Sequence, residues 1–126
     1  MQDILNKLKF RGPATVIYAP AELVSRFEQS GCNTALAKTG KNADTLVFVN
    51  SAREFTDFLK KQLKNIEPDS VLWFAYPKGS SGIKTDINRD TLRVTAESYG
   101  ITTVTAVSID ETWSALRFRP IEKVGK

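Results

Sequence analysis

The sequence predicts an α/β fold, a three-layer Rossmann-like domain with a mostly parallel sheet and an antiparallel C-terminal hairpin. Segments 45–50 and 71–76 are apolar without alternation, as in parallel strands covered on both faces. Amphipathic helical segments separate the predicted strands, and this alternation requires right-handed crossovers to parallel neighbours. A tight turn joins only the last two strands, so we expect that pair alone to be antiparallel.

The N-terminal half carries clear local signals. Residues 1–12 fit either a short amphipathic helix or a loose arm, and 14–18 reads as a buried strand. Helix 21–29 begins after Pro20 and stops at Gly31. We expect a short strand around 34–37 and then a turn over 38–44.

The C-terminal half is equally regular. Ser51 and Glu54 form a predicted capping box that opens a helix with one apolar stripe. A polar loop follows strand 71–76 and leads into helix 88–99, which stops at Gly100. Two strands, 102–109 and 113–119, complete the pattern as a hairpin.

Composition limits the function classes. At 126 residues the chain matches one domain, here taken as 1–126, with one core and no linker or repeat. It has no histidine and a single cysteine, Cys32, which argues against metal centres, common triads and a disulfide framework. No segment resembles a secretory signal or a membrane span, so we expect a cytoplasmic protein. The net charge of +4 is weak evidence for any polyanion partner.

Two motifs carry a family resemblance. Residues 77–86 read P-K-x-x-S-G-x-x-T-D, and residues 110–116 read D-E-T-W-S-x-L. These stretches resemble a family of small bacterial proteins known as a domain of unknown function. The resemblance implies a compact bacterial cytoplasmic protein and brings no assigned reaction.

The order of elements also resembles the C-terminal half of class I methyltransferases, whose final strand inserts beside the preceding parallel strand. That resemblance implies the strand order 34–37, 14–18, 45–50, 71–76, 113–119, 102–109. The sequence departs from the methyltransferase pattern at one place. The turn after strand 14–18 contains Pro20 and lacks the glycines with which such enzymes hold a cofactor. We therefore predict a Rossmann-like scaffold with no cofactor.

The loop 78–86 is the strongest candidate for a binding site. It follows the carboxyl end of a central strand, where open α/β sheets bind ligands. Its side chains and the N–H groups of the helix that it opens could hold a small anion. The alternative is that they only cap the helix. The residues proposed to bind are Lys78, Ser80, Ser81, Lys84, Thr85 and Asp86.

The turn at Asp110 and Trp113 is the second candidate. The expected strand order puts this turn at the same edge as the loop. There Trp113 could stack on a ligand and Asp110 could accept a hydrogen bond. The alternative is that Trp113 roofs the core and Asp110 caps the turn.

Charged residues elsewhere are expected to be structural. Arg117 and Arg119 lie on one face of a predicted interior strand. Either the end of that strand is exposed, or Arg117 pairs with Asp86, Asp90 or Glu97 on the covering helix, and we favour such a pair over ligand binding. Two runs of basic residues indicate a solvated surface rather than a nucleic-acid site. They are Lys7, Lys9 and Arg11 near the N-terminus, and the lysines at 60–64.

These observations favour a non-catalytic binding or regulatory module with a site for a small anionic ligand. The alternative is a transferase for a nucleotide-like or phosphorylated substrate, and a second alternative is a weak nucleic-acid binder. The sequence indicates neither a membrane partner nor an oligomeric state.

Overall fold

Five strands form one mixed sheet in the computed structural model, which describes residues 2–36 and 41–124. The strands are β1 (Thr15–Ile17), β2 (Thr45–Phe48), β3 (Leu72–Pro77), β4 (Ile101–Ser108) and β5 (Trp113–Pro120). The helices are α1 (Gln2–Leu8), α2 (Ala21–Gln29), α3 (Ala52–Gln62) and α4 (Arg89–Glu97). Short 3-10 turns cover Leu63–Asn65, Gly79–Ser81 and Ile121–Lys123.

The strands lie in the order β1-β2-β3-β5-β4. The pairs β1–β2 and β2–β3 are parallel, whereas β5 is antiparallel to both β3 and β4. Val47, Phe74 and Leu116 share one row across the centre of the sheet. The predicted fold class and the predicted order of these five strands are confirmed.

The predicted strand around 34–37 is wrong for the residues that the structure describes. Residues 34–36 form no strand, and the segment meets β1 only through one parallel bridge, Thr15 to Asn33. Residues 33–35 (Asn, Thr and Ala) are small and exposed, so they offer no large apolar face to bury against the sheet. The rest of that prediction, and the start of the predicted 38–44 turn, fall on residues 37–40, outside the described residues.

Each face of the sheet has its own core. Helices α3 and α4 cover one face, where Phe74 is packed by the rings of Phe55, Phe58 and Phe118 at centroid distances of 4.8, 5.5 and 5.3 Å. Helices α1 and α2 cover the other face. We call these the α3/α4 face and the α1/α2 face.

The N-terminal segment is a docked helix rather than a loose arm. Leu8 is fully buried on the α1/α2 face. Its carbonyl accepts a buried hydrogen bond of 2.9 Å from Trp73 Nε1. The bond satisfies the indole N–H, which would be costly to bury unpaired.

The expected ion pair of Arg117 does not form. Because side chains alternate along β5, Leu116 and Phe118 face α3 and α4, while Arg117 faces the α1/α2 side. Asp90 and Glu97 on α4 therefore lie across the sheet from it, and Asp86 precedes α4 and instead accepts a hydrogen bond from the Ala52 N–H. Arg119 forms the ion pair instead, with both its Nε and Nη2 on Asp69 at 2.8 and 3.1 Å.

No helix in the described parts of the chain is long and apolar enough to cross a membrane.

The aromatic group around Phe74 should dominate stability. Phe74→Ala removes a fully buried ring from among three others and should lower the free energy of unfolding by about 3–5 kcal/mol. Urea denaturation measures the loss. Val94→Ala, at an exposed position on α4, is the control and should change stability by less than about 0.5 kcal/mol. Equal losses in both variants would contradict this description of the core.

Candidate functional site

A crevice opens where β1 and β2 end side by side. The chain leaves β1 for α2 on one face and leaves β2 for α3 on the other. The crossovers run in opposite directions from this point, because β1 leads towards Asn33 at the edge and β2 leads to β3. Open α/β sheets bind ligands at such topological switch points, beyond the carboxyl ends of the strands.

Tyr18 stands at this crevice in a strained conformation. It follows the last residue of β1, has a φ of +61° and leaves 64% of its surface exposed. A bulky residue in the left-handed region costs on the order of 1–3 kcal/mol, and such strain concentrates at functional sites. The strained backbone holds an aromatic ring open to solvent at the end of a strand.

A cavity of about 390 Å³ extends from Tyr18 along α3. It is lined by Tyr18, Glu54, Asp57, Phe58, Lys61 and Gln62. The helical residues among these lie three or four positions apart and so share one side of α3. The cavity therefore combines two aromatic rings, two carboxylates, an amide and one ammonium group.

The N-terminus of α3 borders the same crevice and is tightly capped. Ser51 Oγ accepts a hydrogen bond of 3.2 Å from the Glu54 N–H, as the capping box predicts. Glu54 Oε1, however, accepts from the Asn50 N–H at 3.0 Å rather than from that of Ser51. The strand ladder ends at Val49, whose N–H donates to Ala75, so the Asn50 N–H is the first that needs another acceptor.

The first half of the predicted binding loop folds on itself. Ser81 Oγ donates to the Lys78 carbonyl at 2.7 Å and accepts from the Ile83 N–H at 3.2 Å. Lys78 Nζ donates to Ser108 Oγ at 2.6 Å. Ser80 and Lys84 are exposed.

The second half of the loop reaches the switch point. Thr85 Oγ1 donates to the Asn50 carbonyl at 2.6 Å, and Asp86 Oδ1 accepts from the Ala52 N–H at 2.7 Å. A carboxylate at this position interacts favourably with the positive end of α3. Thr85 and Asp86 thus tie the loop across the end of β2.

The Asp110 turn lies beside the loop, as the predicted strand order requires. Pro77 pairs with Trp113, and the Lys78 N–H donates to the Thr112 carbonyl at 2.7 Å. Asp110 Oδ1 accepts from the N–H groups of Thr112 and Trp113, both at 2.8 Å. It therefore caps the turn.

Trp113 itself is part of the core. Only 5% of its surface is exposed, and its ring meets Phe48 edge-on at a centroid distance of 5.0 Å. Little of the ring faces solvent where a ligand could stack. Of the two alternatives for this turn, the structure favours the one in which Trp113 covers the core.

The predicted site residues do not form one site. Lys78, Asp110 and Trp113 meet at the hairpin, whereas Thr85 and Asp86 join the end of β2 to α3. The other three lie between these groups: Ser81 bonds back to Lys78, and Ser80 and Lys84 are exposed. Sequence reasoning missed the cavity along α3. Its acidic and basic positions look like ordinary helix-surface pairs, and only the replacement of glycine after β1 by Tyr18 signalled an unusual turn.

The acidic and cysteine side chains were the remaining candidates for a metal site or a reactive thiol. Within residues 2–36 and 41–124, no group of three or more acidic, cysteine or histidine side chains could hold a metal ion. Burial raises the pKa of the Cys32 thiol, which keeps it protonated and poorly nucleophilic.

Comparison with known proteins shows the fold. No protein-family model matches the sequence, and neither does a curated protein. A SAM-dependent methyltransferase from Aquifex aeolicus aligns with a TM-score of 0.54 and 11% identity, covering 93% of this chain and 87% of that one. A methyltransferase from Pyrococcus furiosus aligns at 0.50 and 11%, covering 96% and 70%.

A third solved structure, a pericyclic reaction enzyme, aligns with a TM-score of 0.53 and 10% identity over 94% of this chain and 39% of that one. The chain therefore has the Rossmann-like fold of class I methyltransferases. Such low identities show the fold alone, and one fold supports several chemistries.

The contact between Asp86 and α3 can be tested by its effect on stability. Asp86→Ala leaves the Ala52 N–H without its acceptor and should lower the free energy of unfolding by about 1 kcal/mol, the usual size of a lost cap. Asp86→Asn keeps an acceptor oxygen and should lose less. Urea denaturation measures both against Lys84→Ala on the exposed part of the loop. A loss no larger in Asp86→Ala than in Lys84→Ala would contradict the capping role.

Proposed function

We propose that this protein is a non-catalytic binding module that takes a small molecule in the crevice between Tyr18 and α3. The observation that carries the proposal is Tyr18 itself, a strained and exposed aromatic residue at the topological switch point. Glycine would adopt the same backbone conformation without strain. The ring therefore has a use that offsets its cost, and contact with a ligand is such a use.

The residues around the cavity suggest the chemistry of the ligand. A tyrosine ring stacks on planar groups and contributes apolar area. Glu54 and Asp57 supply oxygens that accept hydrogen bonds from hydroxyl or amino groups, and Lys61 can pair with one negative charge. A nucleoside-like molecule with an aromatic ring and hydroxyl groups has matching features.

The hydrogen bonds at the carboxyl edge favour binding over catalysis. Asp110 is held by two backbone N–H groups, and Asp86 caps α3. A general acid or base must reach the proton that it transfers, and these carboxylates already have backbone partners. We infer that they shape the edge of the site. An anion site at the 78–86 loop stays a prediction, and the exposed Lys84 is the residue that would test it.

The second candidate is a transferase with a nucleotide-like or phosphorylated substrate. Three of the similar solved structures are named methyltransferases, one of them putative, and that is the observation in its favour. The turn at Tyr18 argues against it, because Pro20 removes an N–H donor where such enzymes use glycines.

Variants of Tyr18 test the binding proposal. Isothermal titration with adenosine and with S-adenosylmethionine should detect binding to the unmodified protein. Tyr18→Asn should weaken that binding roughly 5- to 150-fold, since stacking on an aromatic ring contributes about 1–3 kcal/mol. Asparagine tolerates the left-handed conformation, so the melting temperature should not fall. Tyr18→Phe keeps the ring and is the matched control.

Two results would count against this function. Equal affinity in Tyr18→Asn and the unmodified protein, or no binding of either probe, would remove the crevice as the site. Transfer of a labelled methyl group from S-adenosylmethionine to any acceptor in a cell extract would replace the binding module by the transferase.

A further inference from the structure

Four basic side chains gather at the other end of the sheet. Arg117 lies opposite Trp73 near the amino ends of the parallel strands, and Arg119 lies two positions further on the same face. The bond from Trp73 to the Leu8 carbonyl brings the N-terminal segment over this spot, three residues before Arg11. Lys123 follows β5 in a short 3-10 turn. We call Arg11, Arg117, Arg119 and Lys123 the basic cluster.

Asp69 and Asp44 lie near the basic cluster, and the hydrogen bonds of both are already in use. Asp69 forms a bidentate ion pair with Arg119. One oxygen of Asp44 accepts the backbone N–H groups of Arg11 and Gly12 at 3.0 and 2.9 Å. The hydrogen bond from Arg119, with further attraction from Lys123 and Arg11, holds the pKa of Asp69 below its usual range. Asp69 and Asp44 therefore have little capacity left to pair with Arg117.

Arg117 is the least satisfied member. Its Nε is buried and has no hydrogen-bond partner within the described chain. Burial lowers the pKa of this guanidinium, and repulsion from Arg119 and Arg11 lowers it further. Arg117 as a whole is half-buried, so only part of its guanidinium is desolvated. A buried N–H with no partner is still costly, whereas an apolar side chain of similar size would avoid that cost. The neighbouring strand also has a bulge between Thr103 and Thr105, opposite Arg117, and bulges are common beside functional sites.

We propose that the basic cluster binds a phosphate group, with Arg117 and Arg11 as the principal contacts. Guanidinium groups match the geometry of phosphate oxygens and form paired, charge-assisted hydrogen bonds with them. The phosphate could belong to a nucleic-acid backbone or to a small phosphorylated molecule, and both offer the same oxygens. This surface lies at the amino edge on the α1/α2 face, so it is separate from the crevice at Tyr18 and α3.

Binding of pyrophosphate and of a twelve-residue deoxythymidine oligonucleotide at low salt provides the test. Arg117→Gln should weaken pyrophosphate binding roughly ten- to a hundredfold, as expected for loss of a charge-assisted contact. Its melting temperature should not fall, because the replaced charge is unpaired. Arg11→Gln should weaken binding as well, and its exposed side chain makes misfolding no concern. Lys60→Gln on α3, the control with the same charge change, should bind like the unmodified protein.

Asp69→Asn gives a result in the opposite direction. It frees the guanidinium of Arg119 and removes a nearby negative charge, so pyrophosphate should bind several-fold more tightly. Asparagine suits the positive φ of +55° at this position. Unchanged affinity in both Arg117→Gln and Arg11→Gln, or no binding of either probe to the unmodified protein, would overturn the proposal.

The two probes separate the sources of the phosphate. Much tighter binding of the oligonucleotide, with affinity that falls steeply as salt rises, would identify a nucleic-acid backbone. Affinity for pyrophosphate equal to or above that for the oligonucleotide would identify a small phosphorylated molecule. Either outcome supports a phosphate site, and neither depends on a ligand in the Tyr18 crevice.

Discussion

The burial of β3 on both faces is the constraint on which the rest of the structure depends. Its side chains alternate between the two cores, with Leu72 and Phe74 on the α3/α4 face and Trp73 and Ala75 on the α1/α2 face. Neither face of this strand can meet water without exposing large apolar side chains. Helices must therefore lie on both sides of the sheet, and the chain must switch sides as it leaves β1 and β2. The crevice at Tyr18 is a consequence of that switch.

The carboxyl edge shows how a scaffold of this type can be closed by its own side chains. Asp86 occupies the N-terminus of α3, a position where an anionic group is generally stabilised. Asp110 and Ser81 complete the backbone hydrogen bonds of their own turns. Most polar side chains that the sequence offered for a ligand thus form hydrogen bonds within this edge. The surface that stays open to a ligand lies at the strained Tyr18 turn and along α3.

At the amino edge, by contrast, one charged side chain is left without a partner among the described residues. There the antiparallel strand β5 brings Arg117 and Arg119 onto the face on which the N-terminal helix docks. Arg119 finds a carboxylate, and Arg117 does not find one among the described residues. A buried guanidinium N–H without a partner lowers the stability of the free protein, and the phosphate proposed to bind there would offset part of that cost. The two ends of the sheet therefore suit ligands of different chemistry.

The strands, the helices and the antiparallel hairpin could be located from the amino-acid sequence, through local apolar periodicity and through Ser51 and Gly31 at helix ends. Rules for parallel crossovers predicted the parallel pairs, and the resemblance to class I methyltransferases supplied the order of the strands. That order correctly predicted that the Asp110 turn lies beside the Lys78 loop.

Which polar side chains lack a hydrogen-bond partner depends on contacts between residues that are far apart in the sequence. Asp86 meets Ala52 across 34 positions, and Thr85 meets Asn50 across 35, so no local pattern reports either bond. The face taken by Arg117 depends on the exact register of β5, because a shift of one residue would reverse every side chain. The left-handed turn at Tyr18 likewise has no propensity behind it. It exists because β1 must end where α2 begins on the opposite face from α3.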